Sequence, residues 1–382
     1  MVRDGNEEAD VLIIGAGPAG LATAGCLRQA GIDRVVILEE STEVGSAWRR
    51  HYDRLHLHTD RRISGLPGLR LPRELPRYPT RGQVVDYLER YARTFELAPR
   101  FGERARSIAR ADGAWCVESQ NRSYLAASLV IATGRAREPV MPSWPGQELY
   151  RGDILHSSDY RNGSAYRNKP VLVVGLGNSG GEIAIDLHEH GADGAIAVRG
   201  AVNVIPRDLF GIPIVSVAIA MARLPGRVAD LLSAPVLNMA VGDLTRFGLR
   251  RPPYGPLTQI REHHQVPLLD IGTVALIRQG KLRIRPDIRG FTEEGVEFVD
   301  GRIEPFAAVV AATGFRPNLG VLGGALHPVL ADGYPLVSGR STSLPGLYFC
   351  GFHVASTGML REIGIEARQI SREICRRGKD QR

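Results

Sequence analysis

Cysteine is scarce in this chain: Cys26, Cys116, Cys350 and Cys375 are the 4 among 382 residues, and no two form a Cys-x-x-Cys pair. That spacing argues against a disulfide scaffold, a cysteine-rich zinc site and a redox-active dithiol, and it fits a reducing compartment. Long apolar runs are missing too. The longest uncharged apolar stretch, Leu209–Ala222, is interrupted by Gly211 and Pro213 and falls short of the roughly 20 residues that cross a bilayer as a helix. Met1 to Asp10 is polar and acidic, without the apolar centre of a secretory signal. Nor is there a strong bias of charge. Lys plus Arg is 48 against 41 Asp plus Glu, a net +7, which suits an anionic ligand, a nucleic acid or an acidic membrane surface without choosing among them. His51, His56 and His58 lie close together, but no carboxylate or thiolate set at ligand spacing accompanies them, so no metal site is expected. The arginine-rich stretches 100–110 and 372–377 lack aromatic interleaving and read as solvated helix faces rather than nucleic-acid patches. The expectation is a soluble, cytoplasmic protein with no membrane span and no nucleic-acid partner.

What is present is an ordinary globular composition, 43% hydrophobic and 23% charged, over a length that implies two or three domains. Val11-Leu12-Ile13-Ile14 is a short apolar run of the kind buried on both faces of a parallel sheet. Gly15-Ala16-Gly17-Pro18-Ala19-Gly20 follows at once, and Leu21 to Ala30 reads as a helix stopped by Gly31. In such a turn the first glycine permits the bend, the second lets the backbone approach a pyrophosphate and the third lets helix and strand pack closely. The helix N-terminus offers unpaired N–H groups and a positive dipole end to the phosphates. A second strand, Val35 to Leu38, ends in Glu39, 19 residues past Gly20, where a carboxylate accepts hydrogen bonds from ribose hydroxyls. Glu40 stands beside it. The competing reading is a plain strand-to-helix turn.

The pattern occurs again. Val171-Leu172-Val173-Val174 leads into Gly175-Leu176-Gly177-Asn178-Ser179-Gly180, with a helix over Glu182 to Glu189 and a strand over Ala195 to Val198. This strand ends in Arg199, again 19 residues past the last motif glycine. A carboxylate at Glu39 suits a bare ribose diol, whereas a guanidinium at Arg199 suits a 2′-phosphate. The first unit is therefore read as the FAD site and the second as the NADPH site; Arg207 is an alternative source of the charge, with Arg199 then a solvated surface residue. Two dinucleotide motifs in one chain imply hydride passing between two cofactors. Ala132-Thr133-Gly134 and Ala312-Thr313-Gly314 each close an apolar strand-like run, and they mark where the chain crosses between a flavin domain and an inserted nicotinamide domain. The expected fold is α/β, with two Rossmann-like dinucleotide-binding domains: a discontinuous FAD domain over 1–162 and 303–382, and an NADPH domain over 163–302 carrying an apolar helical insert near 209–241.

At this point the sequence resembles the flavin-containing monooxygenases, and within them the YUCCA-like branch. Tyr150-Arg151-Gly152-Asp153-Ile154-Leu155-His156-Ser157-Ser158-Asp159-Tyr160 is similar to the identifying pattern of that family, Phe-x-Gly-x-x-x-His-x-x-x-aromatic, with Tyr150 in place of Phe. Tyr52–His58, Tyr78–Arg81, Glu138–Pro142, Val204–Asp208, Phe247–Pro252 and Gly295–Gly301 resemble the YUCCA-like branch in the same order, so that the resemblance spans about residues 8–375. It implies a cycle in which NADPH reduces FAD, reduced flavin takes up O₂ as a C4a-peroxide shielded from water, and oxygen passes to a small organic substrate. Members acting on amines and sulfides carry an Asn where this chain has His58, the candidate catalytic residue, which the resemblance places against flavin or NADP to tune the C4a-peroxide; the competing reading is a hydrogen-bonded structural histidine. Trp48 corresponds to a family aromatic beside the flavin, with core packing the competing reading; Ser46, close before it, is a further candidate cofactor contact, and Gly351-Phe352 resembles a turn that approaches the flavin's pyrimidine end. The chain departs from the branch at Gly358-Met359-Leu360-Arg361-Glu362, where charged Arg361 and Glu362 replace small residues.

The function expected from these readings is an NADPH- and FAD-dependent monooxygenase whose partners are O₂ and a small molecule. The resemblance points to a 2-oxo acid such as indole-3-pyruvate, with a basic residue such as Arg250 for its carboxylate. N- or S-oxygenation of an amine or sulfide is the alternative within the class, and a flavin reductase without oxygenation the alternative outside it. The segment 209–241 is expected to cover the active site or form the substrate entrance; the competing readings are a membrane-surface contact or a homodimer contact.

Overall fold

A computed structural model describes residues 7–380 of the chain, and the polar opening segment 1–6 lies outside the described residues. The chain builds two main sheets, each around one of the buried apolar runs. In the first, Glu7–Ile14 lies between Val35–Leu38 and Ser123–Ile131, parallel to both. Leu12 pairs with Val36 on one side and Leu129 on the other. The long strand Ser123–Ile131 also pairs antiparallel with Ala114–Ser119 and, at its carboxyl end, parallel with Leu347–Phe349. In the second sheet the order is Leu282–Arg285, Asp193–Ala197, Pro170–Val174, Ala308–Ala311, Asp153–His156, all parallel. Val11 to Ile13 and Val171 to Val173 are fully buried, as strands covered on both faces must be.

The helix after the first glycine motif runs over Pro18–Gln29, with Pro18 in its first turn, and the helix after the second runs over Asn178–Glu189. Proline suits that position because the missing N–H is one the helix would leave unpaired. The carboxyl-terminal helix Met359–Asp380 lies against Pro18–Gln29 and completes the first core.

The sheets correct the boundaries expected from sequence. Asp153–His156 and Ala308–Ala311 pair within the second sheet, so the crossings fall before 153 and after 311, not at 162 and 302. The physical reason is strand pairing: these runs find parallel partners beside Pro170–Val174 and none in the first sheet. The family-like pattern over 150–160 turns out to stitch this edge together. The Tyr150 hydroxyl donates to the Phe306 carbonyl at 2.8 Å, and the ring meets Phe291 edge-on. A Cβ at Gly152 would lie 2.8 Å from the Ala307 carbonyl oxygen, so a side chain has no room there. The buried Tyr160 hydroxyl donates to Asp186 at 2.6 Å, and the same carboxylate oxygen accepts the Gly163 N–H at 2.8 Å.

The segment 209–241 folds as the expected short helices, Ile214–Ala220 and Gly226–Val241, with Pro235 inside the second. Val215, Ala229 and Val241 turn inward, while Leu231 (75% exposed) and Met239 (70%) face outward. No helix among the described residues is long and apolar enough to cross a membrane.

Replacing Tyr160 with Phe removes one of the two donors from the buried Asp186 carboxylate. The expected cost is about 1–3 kcal/mol of unfolding free energy, measured by denaturant titration, with cofactor affinity unchanged because Tyr160 lies away from the cleft.

Candidate active site

The two glycine turns are built alike. At Gly20 a Cβ would sit 1.8 Å from the Gly15 carbonyl oxygen, and at Gly180 one would sit 2.0 Å from that of Gly175, so helix and strand approach as only glycine allows. At Gly17 and Gly177 a Cβ would meet nothing within 4 Å: each middle glycine faces open space at its helix N-terminus, as room for a pyrophosphate requires. The Ala-Thr-Gly segments close both turns from the side, with the Ala132 N–H donating to Ile14 and the Ala312 N–H to Val174, both at 2.9 Å.

A cleft of about 630 Å³ runs along the carboxyl end of the first sheet and reaches the second. Gly15, Gly17, Pro18, Ala19, Glu39 and Glu40 line it. Ser46, Trp48, Ala132, Thr133, Gly134 and Gly351 form further wall. The second unit contributes Asn178 and Ser179. One buried oxygen of Glu39 accepts the Ala16 N–H at 2.7 Å, and the other accepts from Ser41 N and Oγ and from Ser46 Oγ. Its carboxylate is thus oriented with acceptor capacity left on the first oxygen. Glu40 is paired with Arg137 at 2.7 Å. Thr133 Oγ1 is buried and has no protein partner, an orphaned polar atom at the wall of the cleft.

Several expected site residues stand elsewhere. Phe352 is a core residue packed edge-on against Phe349, and only its neighbour Gly351 reaches the cleft. Thr313 donates to the Val140 carbonyl, and the Gly314 carbonyl receives the His156 ring and the Val140 N–H, so both secure the crossing strand. Arg199 is exposed, without an ion pair among the described residues. Arg207 is occupied, stacked 4.0 Å over the Tyr78 ring and paired with Asp208. Arg361 and Glu362 pair with each other at 2.7 Å, and neither lines the cleft, which Met359 and Leu360 do.

His58 connects the units. Its Nε2 hydrogen-bonds to Glu182, a residue 2% exposed on the helix Asn178–Glu189, whose other carboxylate oxygen is buried without a partner. Arg54 from the same segment makes a bidentate pair with Glu189 at 2.8 Å, and Tyr52 is buried beside Glu182 with its hydroxyl held well above the usual range, chiefly by burial. His58, Thr59, Asn178 and Met359 also line a second, mostly apolar cavity of about 230 Å³ beneath the insert, walled by Ile214, Val217, Met221, Leu237 and Ile260. Arg250 does not line it. Glu182 was not anticipated from sequence, yet a signal was there: aligning the two glycine motifs sets it opposite Ala22, a fully buried position.

Two phosphate cradles opening on one cleft define a protein built to hold two dinucleotides side by side. A profile of the family described as pyridine nucleotide-disulphide oxidoreductase matches residues 12–207. The chain is 41% identical to indole-3-pyruvate monooxygenase YUCCA1 of Oryza sativa subsp. japonica, over 81% of this chain and 77% of that protein. It is 37% identical to indole-3-pyruvate monooxygenase YUCCA4 of the same plant, over 99% and 91%. A doubly substituted variant of a flavin monooxygenase from Stenotrophomonas maltophilia shares the fold with a TM-score of 0.75 at 24% identity, over 97% of this chain and 99% of that one. The chain belongs to the YUCCA group of flavin-containing monooxygenases. It is an NADPH-dependent enzyme, and its cofactors are FAD and NADPH. The disulphide chemistry in the name of the matching profile has no counterpart here: all four cysteines are free thiols, and none lines the cleft.

His156, buried, accepts the Ser158 N–H at Nδ1 and donates from Nε2 to the Gly314 carbonyl. Burial holds its pKa below the ordinary 6.5. The unfolded chain therefore takes up this proton more readily, so the stability contributed by neutral His156 is complete above 6.5 and is lost as pH falls toward the folded-state value. The difference in unfolding free energy between the wild type and His156→Gln, measured from pH 8 to pH 5, is expected to stay flat above about 6.5 and to shrink below it.

Proposed function

We propose that this enzyme oxygenates a small aromatic 2-oxo acid of the indole-3-pyruvate type, with loss of CO₂. The observation that carries this reading is the apolar cavity that shares His58 and Asn178 with the wall of the cleft, in a chain whose relatives are named for that substrate. In this reading the first unit holds FAD. Gly17 and the helix end at Pro18 and Ala19 receive its pyrophosphate, Glu39 its ribose, and Thr133 Oγ1 gains the partner it lacks. The second unit holds NADPH. Gly177, Asn178 and Ser179 receive the pyrophosphate, and the free guanidinium of Arg199 takes the 2′-phosphate. When bound, the cofactors supply hydride transfer and the activation of dioxygen.

The chain's own contribution is placement and exclusion of water. Met359, Leu360 and Ile363 present apolar surface to the cleft beside Gly351, and the insert closes over the substrate's ring. In the balanced reaction, 2-oxo acid, O₂, NADPH and a proton give the shortened acid, CO₂, water and NADP⁺, one oxygen atom entering the acid and the other leaving as water. Four free thiols suit a reducing compartment, the cytoplasm.

Incubation with indole-3-pyruvate, NADPH and ¹⁸O₂ is expected to release indole-3-acetate carrying one labelled oxygen. Absence of indole-3-acetate overturns the substrate assignment, and a labelled N- or S-oxide from an amine or sulfide would replace it. Arg199→Ala is expected to raise the KM for NADPH roughly tenfold to a hundredfold, the loss of a charge-assisted contact of about 1.5–3 kcal/mol, while the KM for NADH stays unchanged.

A further inference from the structure

We infer that His58, held in place by Glu182, is the polar end of the apolar chamber and receives the carboxylate of an aromatic acid. For its substrate this rests on the reading above; for the pair itself it rests on the structure alone.

Among the residues lining the chamber, His58 is the one ionisable side chain; the rest is apolar wall with Thr59, Asn178, Ser233 and Ser356. Other cations near the chamber are occupied. Arg207 lies over Tyr78, Arg251 reaches Asn238 and the Gly242 carbonyl, and Arg361 pairs with Glu362. An acid whose ring fills this chamber therefore meets one ionisable side chain in its wall.

The placement of His58 follows from what surrounds Glu182. That carboxylate is buried, with one oxygen on His58 Nε2 and the other unpartnered. A buried carboxylate needs a counter-charge. Arg54 faces it but commits its guanidinium to Glu189, His51 is disfavoured as a cation by burial, and Tyr52 stays neutral. His58 is left as the side chain hydrogen-bonded to Glu182. With Nε2 committed to Glu182, Nδ1 is the open ring nitrogen: it has no hydrogen-bond partner among the described residues, and it is not among the sealed polar atoms. The bond at one nitrogen fixes the aim of the other. Because His58 walls both the chamber and the cleft, a carboxylate on Nδ1 keeps the adjoining 2-oxo carbon at the junction and sends the ring under the insert. His58 thus determines specificity by direct contact, and Glu182 is a positioning residue that acts through it.

The test compares indole-3-acetate with indole-3-acetamide, equal in shape but differing in charge, in equilibrium titrations of the FAD-loaded enzyme. The wild type is expected to bind the acid about tenfold or more tightly than the amide. His58→Asn is expected to abolish that preference with amide affinity held within about twofold, and Glu182→Gln to do the same. The double variant is expected to lose no more than His58→Asn alone, since Glu182 acts through His58. A preference that survives His58→Asn, additive losses in the double variant, or an equal loss of acid and amide overturns the inference. In the unaltered protein with ¹⁵N-labelled histidine, the acid is expected to shift one imidazole resonance that the amide leaves in place; no such response overturns it even where a variant fails to fold. If the charge preference behaves as stated but indole-3-pyruvate is not converted, the substrate reading fails and the pair stands. Conversion with a preference indifferent to His58 is the reverse.

Discussion

Everything in this molecule depends on holding two phosphate cradles, carried by separate sheets, against one cleft. Sheets do not dock of themselves with the accuracy that hydride transfer demands; something must cross the gap and be fixed at both ends. Here it is the segment 49–81 of the first unit. Arg54 clamps Glu189, His58 meets Glu182, Arg77 and Tyr78 grip Asp208 at the base of the insert, and Arg81 with Arg161 ties the segment to backbone carbonyls at 49–51. Two of these contacts land on one helix, the helix that begins at the second cradle. The bidentate Arg54–Glu189 pair gives direction as well as energy, more than a single-contact ion pair would.

The same requirement explains why the pattern at 150–160 holds so many special residues and yet contains no chemistry. Tyr150, Gly152, His156 and Tyr160 secure the edge strand of the second sheet and the strand Ala308–Ala311 that returns the chain toward the first unit. A chain that leaves one domain, builds another and returns needs its exit and return strands side by side. Parallel pairing between Asp153–His156 and Ala308–Ala311 does this, and Gly314 accepting from His156 couples the two crossings directly.

The glycine motifs were legible in sequence because their demands are local. A turn with no room for a side chain, a buried apolar strand before it and a helix after it all fall within a few residues, and the strand Val35–Leu38 stands where the pattern places it. Glu39 was legible for the same reason: strand length fixes where a following side chain emerges, and this one emerges at the wall of the cleft. The rest was not local. Phe352 reads as a cofactor contact by its place next to Gly351, but a buried aromatic ring turns to the core. Thr313 and Gly314 copy Thr133 and Gly134 in sequence, yet they sit at a crossing and use their polar groups there.

By itself, the sequence determined two dinucleotide units and a separate apolar insert of short helices, since periodicity, glycine spacing and charge type are read within one element. Only the tertiary structure decided that strands at 153 and 308 belong to the second sheet, that the insert roofs a chamber rather than an empty surface, and that a carboxylate 124 positions from His58 is its partner. Long-range pairing and the burial of Glu182 depend on how units meet, and no window along a chain contains that meeting.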